Sequence, residues 1–171
     1  VDDSSSDGTL EIVSNFKKDK NFINLISRLN LKRNLADSIN DGIKKANYEN
    51  IIWMDADFQH PPKYLEDFIN YSKSFDAIIS SRFLEKSKRY FNQGNSKKDI
   101  NENQSYFFNK LCRLFLYKDI TDYTSGFVCI KKNVFDNYTL NGFYGDYFVN
   151  LILYLKKNNK KIIEIPFKDD V

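Results

Sequence analysis

Cysteine, histidine and long apolar runs are what this chain has least of. Its 171 residues include two cysteines, Cys112 and Cys129, neither in a C-x-x-C pair. That pattern argues against a zinc site and against a disulfide scaffold. A reducing compartment is the default for such a chain. A single histidine, His60, fits chemistry that runs without an imidazole base. No apolar run approaches the ~20 residues of a membrane span, and no signal-peptide pattern is visible. The net charge of +3 is too small to indicate nucleic-acid binding. An initiating methionine is also missing. The chain opens on "VDDSSSDGT" and stops after "EIPFKDDV", which leads us to expect a fragment of a longer protein.

What is present is ordinary for a globular chain, with 42% hydrophobic and 29% charged residues. The length suits one domain, residues 1–171, with a real core. Hydrophobic periods alternate between strand and helix. "DGTLEIVSNF" reads as a first helix with Ser6 or Asp7 as N-cap, and "FINLISR" as a short strand. "NLADSINDGIKKA" sets Leu35, Ile39 and Ile43 on one helical face. "NIIWM" is a continuous apolar run, as in a parallel strand covered on both faces. "PPKYLEDFINYS" begins a helix at Pro62. "DAIISS", "SGFVCI" and "KIIEIPF" are further strands, with the helix "GDYFVNLILYLKKN" between the last two. This alternation predicts an α/β fold with a mainly parallel sheet flanked by helices. Residues 85–103 form a polar stretch, rich in Lys and Arg toward its start, that reads as a loop.

The chemistry gathers after "NIIWM". Asp55 and Asp57 follow the strand two residues apart, a spacing that puts both carboxylates on one face of an extended chain. Ligands of open α/β sheets bind beyond the carboxyl ends of the strands. Two carboxylates there repel unless a cation or a shared proton intervenes. An all-oxygen set suits Mg²⁺ or Mn²⁺ bridged to substrate phosphates, and Gln59 could add a carbonyl oxygen. The competing reading makes the pair a cap for the helix near Pro62. His60, flanked by Pro61, reads as packing more readily than as a ligand. Asp2 and Asp3 end another strand-like segment. Their carboxylates either accept from ribose hydroxyls or a base edge, or satisfy amides of the turn.

Together these motifs resemble a known family. "VDDSSSDGT", "RNLADSINDGIKKA", "WMDADFQHPP", "DAIISSR", "DYTSGF" and "EIPF" follow the order and rough spacing of glycosyltransferase family 2. "DADFQHPP" leans toward its polyprenyl-phosphate (dolichyl-phosphate) mannosyl- and glucosyltransferase branch. The resemblance implies a GT-A fold, a nucleotide-sugar donor such as GDP-mannose or UDP-glucose, and Mg²⁺ or Mn²⁺. It further implies a polyprenyl phosphate acceptor and a peripheral location on the cytoplasmic face of a membrane. By analogy, Asp55, Asp57 and Gln59 match the metal and diphosphate motif. Asp2 and Asp3 match nucleoside-binding aspartates, and Arg82 an arginine facing donor or acceptor phosphate.

Three departures stand out. The family's first strand with its Pro-x-x-Asn-Glu motif is absent, as are the Arg and Gly-x-Ser-Lys segment after "EIPF". Ala36 also replaces the usual glycine. These residues alone are therefore expected to bind donor poorly.

An ionised lipid phosphate needs no general base, and Lys86, Lys88 and Arg89 could help hold it. A sugar hydroxyl does need one, and Asp122 and Asp146 are the candidates. Each also reads as a cap, of a turn or of a helix. "NQSYFFNKLCRLFLY" carries a narrow polar stripe, Ser105, Asn109 and Arg113, within a wide apolar arc. It is either a core helix or a surface that docks on an anionic membrane. The rival functions are family 2 transfer to a saccharide hydroxyl in cell-envelope polysaccharide synthesis and an inactive nucleotide-sugar-binding module. A haloacid-dehalogenase phosphatase fits worse, because Gln59 stands where that family has Thr or Val.

Overall fold

The computed structural model describes residues 1–57, 59–84, 97–143 and 145–167, with backbone only for 97–102. The basic positions Lys86, Lys88 and Arg89 lie outside the described residues. Four strands form one mixed sheet, ordered β1-β3-β2-β4. They are β1 (Asn50–Trp53), β2 (Ala77–Ser81), β3 (Val128–Lys131) and β4 (Ile162–Pro166). β2 and β4 are parallel, whereas β3 runs antiparallel to both β1 and β2. The carboxyl ends of β1, β2 and β4 therefore meet the start of β3 at one end of the sheet. β1 was expected inside a parallel sheet. Among the described residues it is instead an edge strand, paired antiparallel with β3 through Ile51↔Ile130.

Strand alternation divides the core in two. Ala77, Ile79, Val128 and Ile130 face one layer with Phe148, Leu151, Ile152 and Leu155 of α5 (Asp146–Lys157) and Ile43 of α2 (Leu35–Lys45). Ile78 and Cys129 face the other, against Phe68 of α3 (Leu65–Ser72), Phe127, Ile165 and Phe167. Both cysteines are buried free thiols, and burial pushes Cys129 up to about 11.

Local capping differs in detail from expectation. α1 (Thr9–Lys18) starts after Gly8, whose φ of 87° takes the left-handed region. Asp7 sits one position earlier, accepting from the Thr9 amide and hydroxyl. The expected strand "FINLISR" reduces to one parallel bridge, Asp2↔Ser27. On α2, Leu35 is exposed while Ala36, Asn40 and Ile43 turn inward. Asn40 is drawn in because it both donates to and accepts from the Leu140 backbone.

α4 (Lys97–Phe115) turns Asn109 of its polar stripe inward, together with Cys112, and leaves Arg113 exposed. Asn109 is 2% exposed, donating to the Ser105 carbonyl and Thr124 Oγ1 and accepting from the Tyr123 amide. A turn with amides to satisfy outweighs the apolar arc. Phe107, Leu114 and Phe115 remain 62%, 64% and 76% exposed, so this helix is not packed as a core helix within the described residues. Among those residues no helix is long and apolar enough to cross a membrane.

Candidate active site

The site lies where the sheet's carboxyl ends converge. β1 ends at Trp53 and the chain turns at Ala56 and Asp57. The two aspartates are thus related by a turn, not by strand alternation. The Asp55 amide donates to His60 Nδ1 at 2.8 Å, and the Gln59 amide donates to Asp57 Oδ1 at 3.0 Å. Both bonds tie the turn to itself and leave the Asp55 side chain 62% exposed. His60 is buried, its ring stacked on Phe127 at 4.8 Å and edge-on to Phe167 at 5.8 Å. Burial holds its pKa below the ordinary imidazole value, against the upward pull of Asp55 and Asp57; Arg82 adds to the lowering. All three charges therefore act on one ring.

Among the described residues no three His, Cys, Asp or Glu side chains form a metal cluster. The available donors are two exposed carboxylates and the Gln59 carbonyl. That set fits a hard cation that keeps waters and takes its remaining ligands from substrate phosphates, the usual state of Mg²⁺. It does not fit a closed structural site.

Arg82 follows β2 and is pinned by the turn before β3. Asp122, 0% exposed, takes the Arg82 Nε at 2.9 Å and Nη2 at 3.0 Å. It also accepts the Arg82 amide at 3.2 Å and the Thr124 amide and hydroxyl, each at 3.0 Å. Arg82 Nη2 further donates to the Thr124 carbonyl and Oγ1. Glu164 of β4 braces the same turn, accepting from the Thr121 amide and hydroxyl and the Asp122 amide. Burial raises the Glu164 pKa, and the charge of Asp122 adds to the rise. Asp122, considered above as a base, is therefore enclosed and saturated by donors, an arrangement that orients Arg82.

Asp2 and Asp3 lie apart, in the N-terminal segment. Asp2 is buried and accepts the Ser5 amide. Asp3 accepts Arg28 Nε at 3.1 Å through one oxygen and the Asn34 amide at 2.9 Å through the other. The buried Arg28 also bonds Asp41. Burial opposes the Asp3 charge, but the Asn34 and Arg28 donors outweigh it and hold the carboxyl below its ordinary value. The unfolded chain then binds more protons between the two values, so stability rises with pH across that window. Asp3→Asn should cost a constant amount of stability from pH 7 down to pH 5. The gap from wild type should shrink below about pH 4. Urea midpoints at pH 7, 5 and 3.5 check this; a gap independent of pH would refute it.

Asp146 opens α5 and accepts the Phe143 amide at 3.0 Å, as a helix-entry residue does. The structure thus brings Asp55, Asp57, Gln59 and Arg82 around His60, with Asp122 behind Arg82, and leaves Asp2 and Asp3 in their own cluster. Arg28, Thr124 and Glu164 were not singled out from sequence, and Asn109 was read only as part of a polar stripe. Glu164 alone had a legible signal, a lone charge inside the apolar run "KIIEIPF".

The ordered motifs and the sheet agree with the comparisons to known proteins. The glycosyl transferase family 2 profile matches residues 1–139, and the chain belongs to that family. A dolichol-phosphate mannosyltransferase of Pyrococcus furiosus is 29% identical over 168 residues, covering 98% of this chain and 46% of its own. A poly-beta-1,6-N-acetyl-D-glucosamine synthase of Staphylococcus epidermidis is 42% identical over 57 residues, 33% of this chain and 13% of its own. The chain therefore spans less than half the length of these relatives. Glucosyl-3-phosphoglycerate synthase of Mycobacterium tuberculosis, solved with Mn²⁺, uridine diphosphate and phosphoglyceric acid, superimposes with a TM-score of 0.71 at 10% identity. That match covers 98% of this chain and 56% of the synthase, and it establishes the GT-A fold.

Proposed function

We propose that this chain carries the donor site of an inverting, metal-dependent glycosyltransferase. It would move mannose or glucose from a nucleoside diphosphate to a polyprenyl phosphate at the cytoplasmic face of a membrane. The observation that carries the reading is the placement of α4. Its Asn109 bonds the same Thr124 hydroxyl as Arg82, and Tyr106 meets Phe83 at 6.0 Å. The arginine proposed to face phosphate thus adjoins an exposed apolar helix, as a phosphate on an isoprenoid tail would require. The name of the Pyrococcus relative supports the same acceptor class.

In the proposed reaction an acceptor phosphate oxygen, already ionised near neutral pH, attacks the anomeric carbon. The bond to the diphosphate oxygen breaks, and its electron pair leaves with the nucleoside diphosphate. Single displacement inverts the carbon, and no base is required. Asp55, Asp57 and Gln59 would hold a divalent cation, which when bound would supply Lewis-acid stabilisation to the leaving diphosphate. Asp122 and Thr124 hold the Arg82 guanidinium in one orientation, in which it would meet a phosphate.

The test is sugar transfer by the intact protein from GDP-mannose and UDP-glucose to a short polyprenyl phosphate with Mn²⁺ or Mg²⁺. Metal-dependent product supports the reading and identifies the donor. The Staphylococcus relatives favour a second reading, a saccharide acceptor. Metal-dependent donor binding without lipid product would select it.

The membrane part has its own check. Phe107, Leu111 and Leu114 line a shallow cavity of about 380 Å³ together with Lys110, Arg113 and Lys118. Apolar side chains beside cations suit an anionic bilayer. Burying a Leu or Phe contributes roughly 1.5–3 kcal/mol. Leu114→Glu with Phe115→Glu should therefore weaken binding to phosphatidylserine-containing vesicles by about a hundredfold or more. Sedimentation of the intact protein with such vesicles measures this, and unchanged partitioning would dismiss the surface.

A further inference from the structure

We propose that His60 is the positioning residue of the Asp55–Asp57 turn: its Nδ1 accepts the Asp55 amide and so sets the direction in which both carboxylates leave the sheet. The inference rests on the reading that these carboxylates hold the cation, and it assigns His60 a role other than ligand. Nδ1 faces the Asp55 amide at 2.8 Å, so that nitrogen carries no proton and is engaged by the backbone. The ring cannot drift, because it lies 5% exposed, parallel to Phe127 within 10° and edge-on to Phe167. Both phenylalanines belong to the core layer that includes Ile78, Cys129 and Ile165.

The chain of support runs from core to aromatic, from aromatic to imidazole, and from imidazole to amide. Beyond Trp53 the β1 ladder no longer fixes the backbone. The Asp55 amide would otherwise be free to rotate with its peptide plane, and Asp55 Cβ with it. One hydrogen bond across five residues replaces the missing ladder. Groups that orient ligands in this way typically change metal affinity or activity by about 10–100-fold when lost.

The geometry separates two substitutions that a packing role would treat alike. Asparagine places an acceptor oxygen near the position of Nδ1, whereas glutamine places its polar end near Nε2. We would follow Mn²⁺ binding to the intact protein, with UDP or GDP present, by loss of the free-ion electron paramagnetic resonance signal. Wild type, His60→Leu, His60→Asn, His60→Gln and Asp57→Ala would be compared, each with a melting temperature. The expected result is about tenfold weaker binding for His60→Leu and His60→Gln, with His60→Asn close to wild type. Should His60→Leu fail to fold, the Asn and Gln contrast decides. Equal Mn²⁺ affinity in the Asn and Gln variants, whatever their melting temperatures, overturns the proposal alone. Wild type that binds no Mn²⁺, or Asp57→Ala that binds it as wild type does, overturns the underlying reading and the proposal with it.

Discussion

Asp57→Ala is expected to lower metal-dependent sugar transfer by about a thousandfold, a loss near 4 kcal/mol of transition-state stabilisation. The side chain contributes in two separable ways. Its Oδ1 accepts the Gln59 amide and closes the turn, and its charge is one of the two proposed to hold the cation. Alanine removes both. Asp57→Asn keeps an acceptor for the Gln59 amide and removes only the charge, so the turn should persist. If the charge is what matters, the two variants lose activity to a similar degree. If turn closure is what matters, asparagine recovers most of it. Neither variant should shift the melting temperature by more than about 2 °C, because exposed positions contribute within ~0.5 kcal/mol. Transfer rates measured over a range of Mn²⁺ concentrations check this. Activity within tenfold of wild type for both variants would remove Asp57 from the donor site.

The parts legible in sequence were those governed by local pattern. α2, α5 and β2 stand where periodicity and apolar runs put them, and the two carboxylates follow β1 as the motif requires. Strand direction was not legible. Val128, Cys129 and Ile130 are buried and apolar, a pattern that suits a parallel and an antiparallel strand alike. The face that α4 buries was equally hidden. Its apolar arc fits either orientation, and the deciding partners, the Tyr123 amide and Thr124 hydroxyl, lie 14 and 15 residues away. His60 could be read as packing from its flanking prolines. That it also accepts the Asp55 amide depends on a turn whose closure no periodicity reports. Asp3 and Arg28 show the same limit, since a salt bridge across 25 residues leaves no local trace.

Asp122→Ala should destabilise the protein by about 3 kcal/mol and abolish transfer at the same time. The carboxylate has no exposed surface and accepts from Arg82 and Thr124 through five contacts. Removing one member of a buried pair typically costs about 3–5 kcal/mol, because the partner's charge stays behind. The Arg82 side chain is 22% exposed, so water recovers part of that, and the low end applies. For a domain of this size the melting temperature should fall by about 6–12 °C. A general base behaves differently: its loss leaves folding intact and removes only turnover on a hydroxyl acceptor. Combining Asp122→Ala with Arg82→Met separates the two roles. Deleting the stranded guanidinium should return part of the stability, so the double variant melts above the single Asp122→Ala variant. Transfer should stay absent, because Arg82 is gone. Asp122→Ala with wild-type melting and selective loss of turnover on a saccharide would instead make Asp122 the base, and the turn would have to open to expose it.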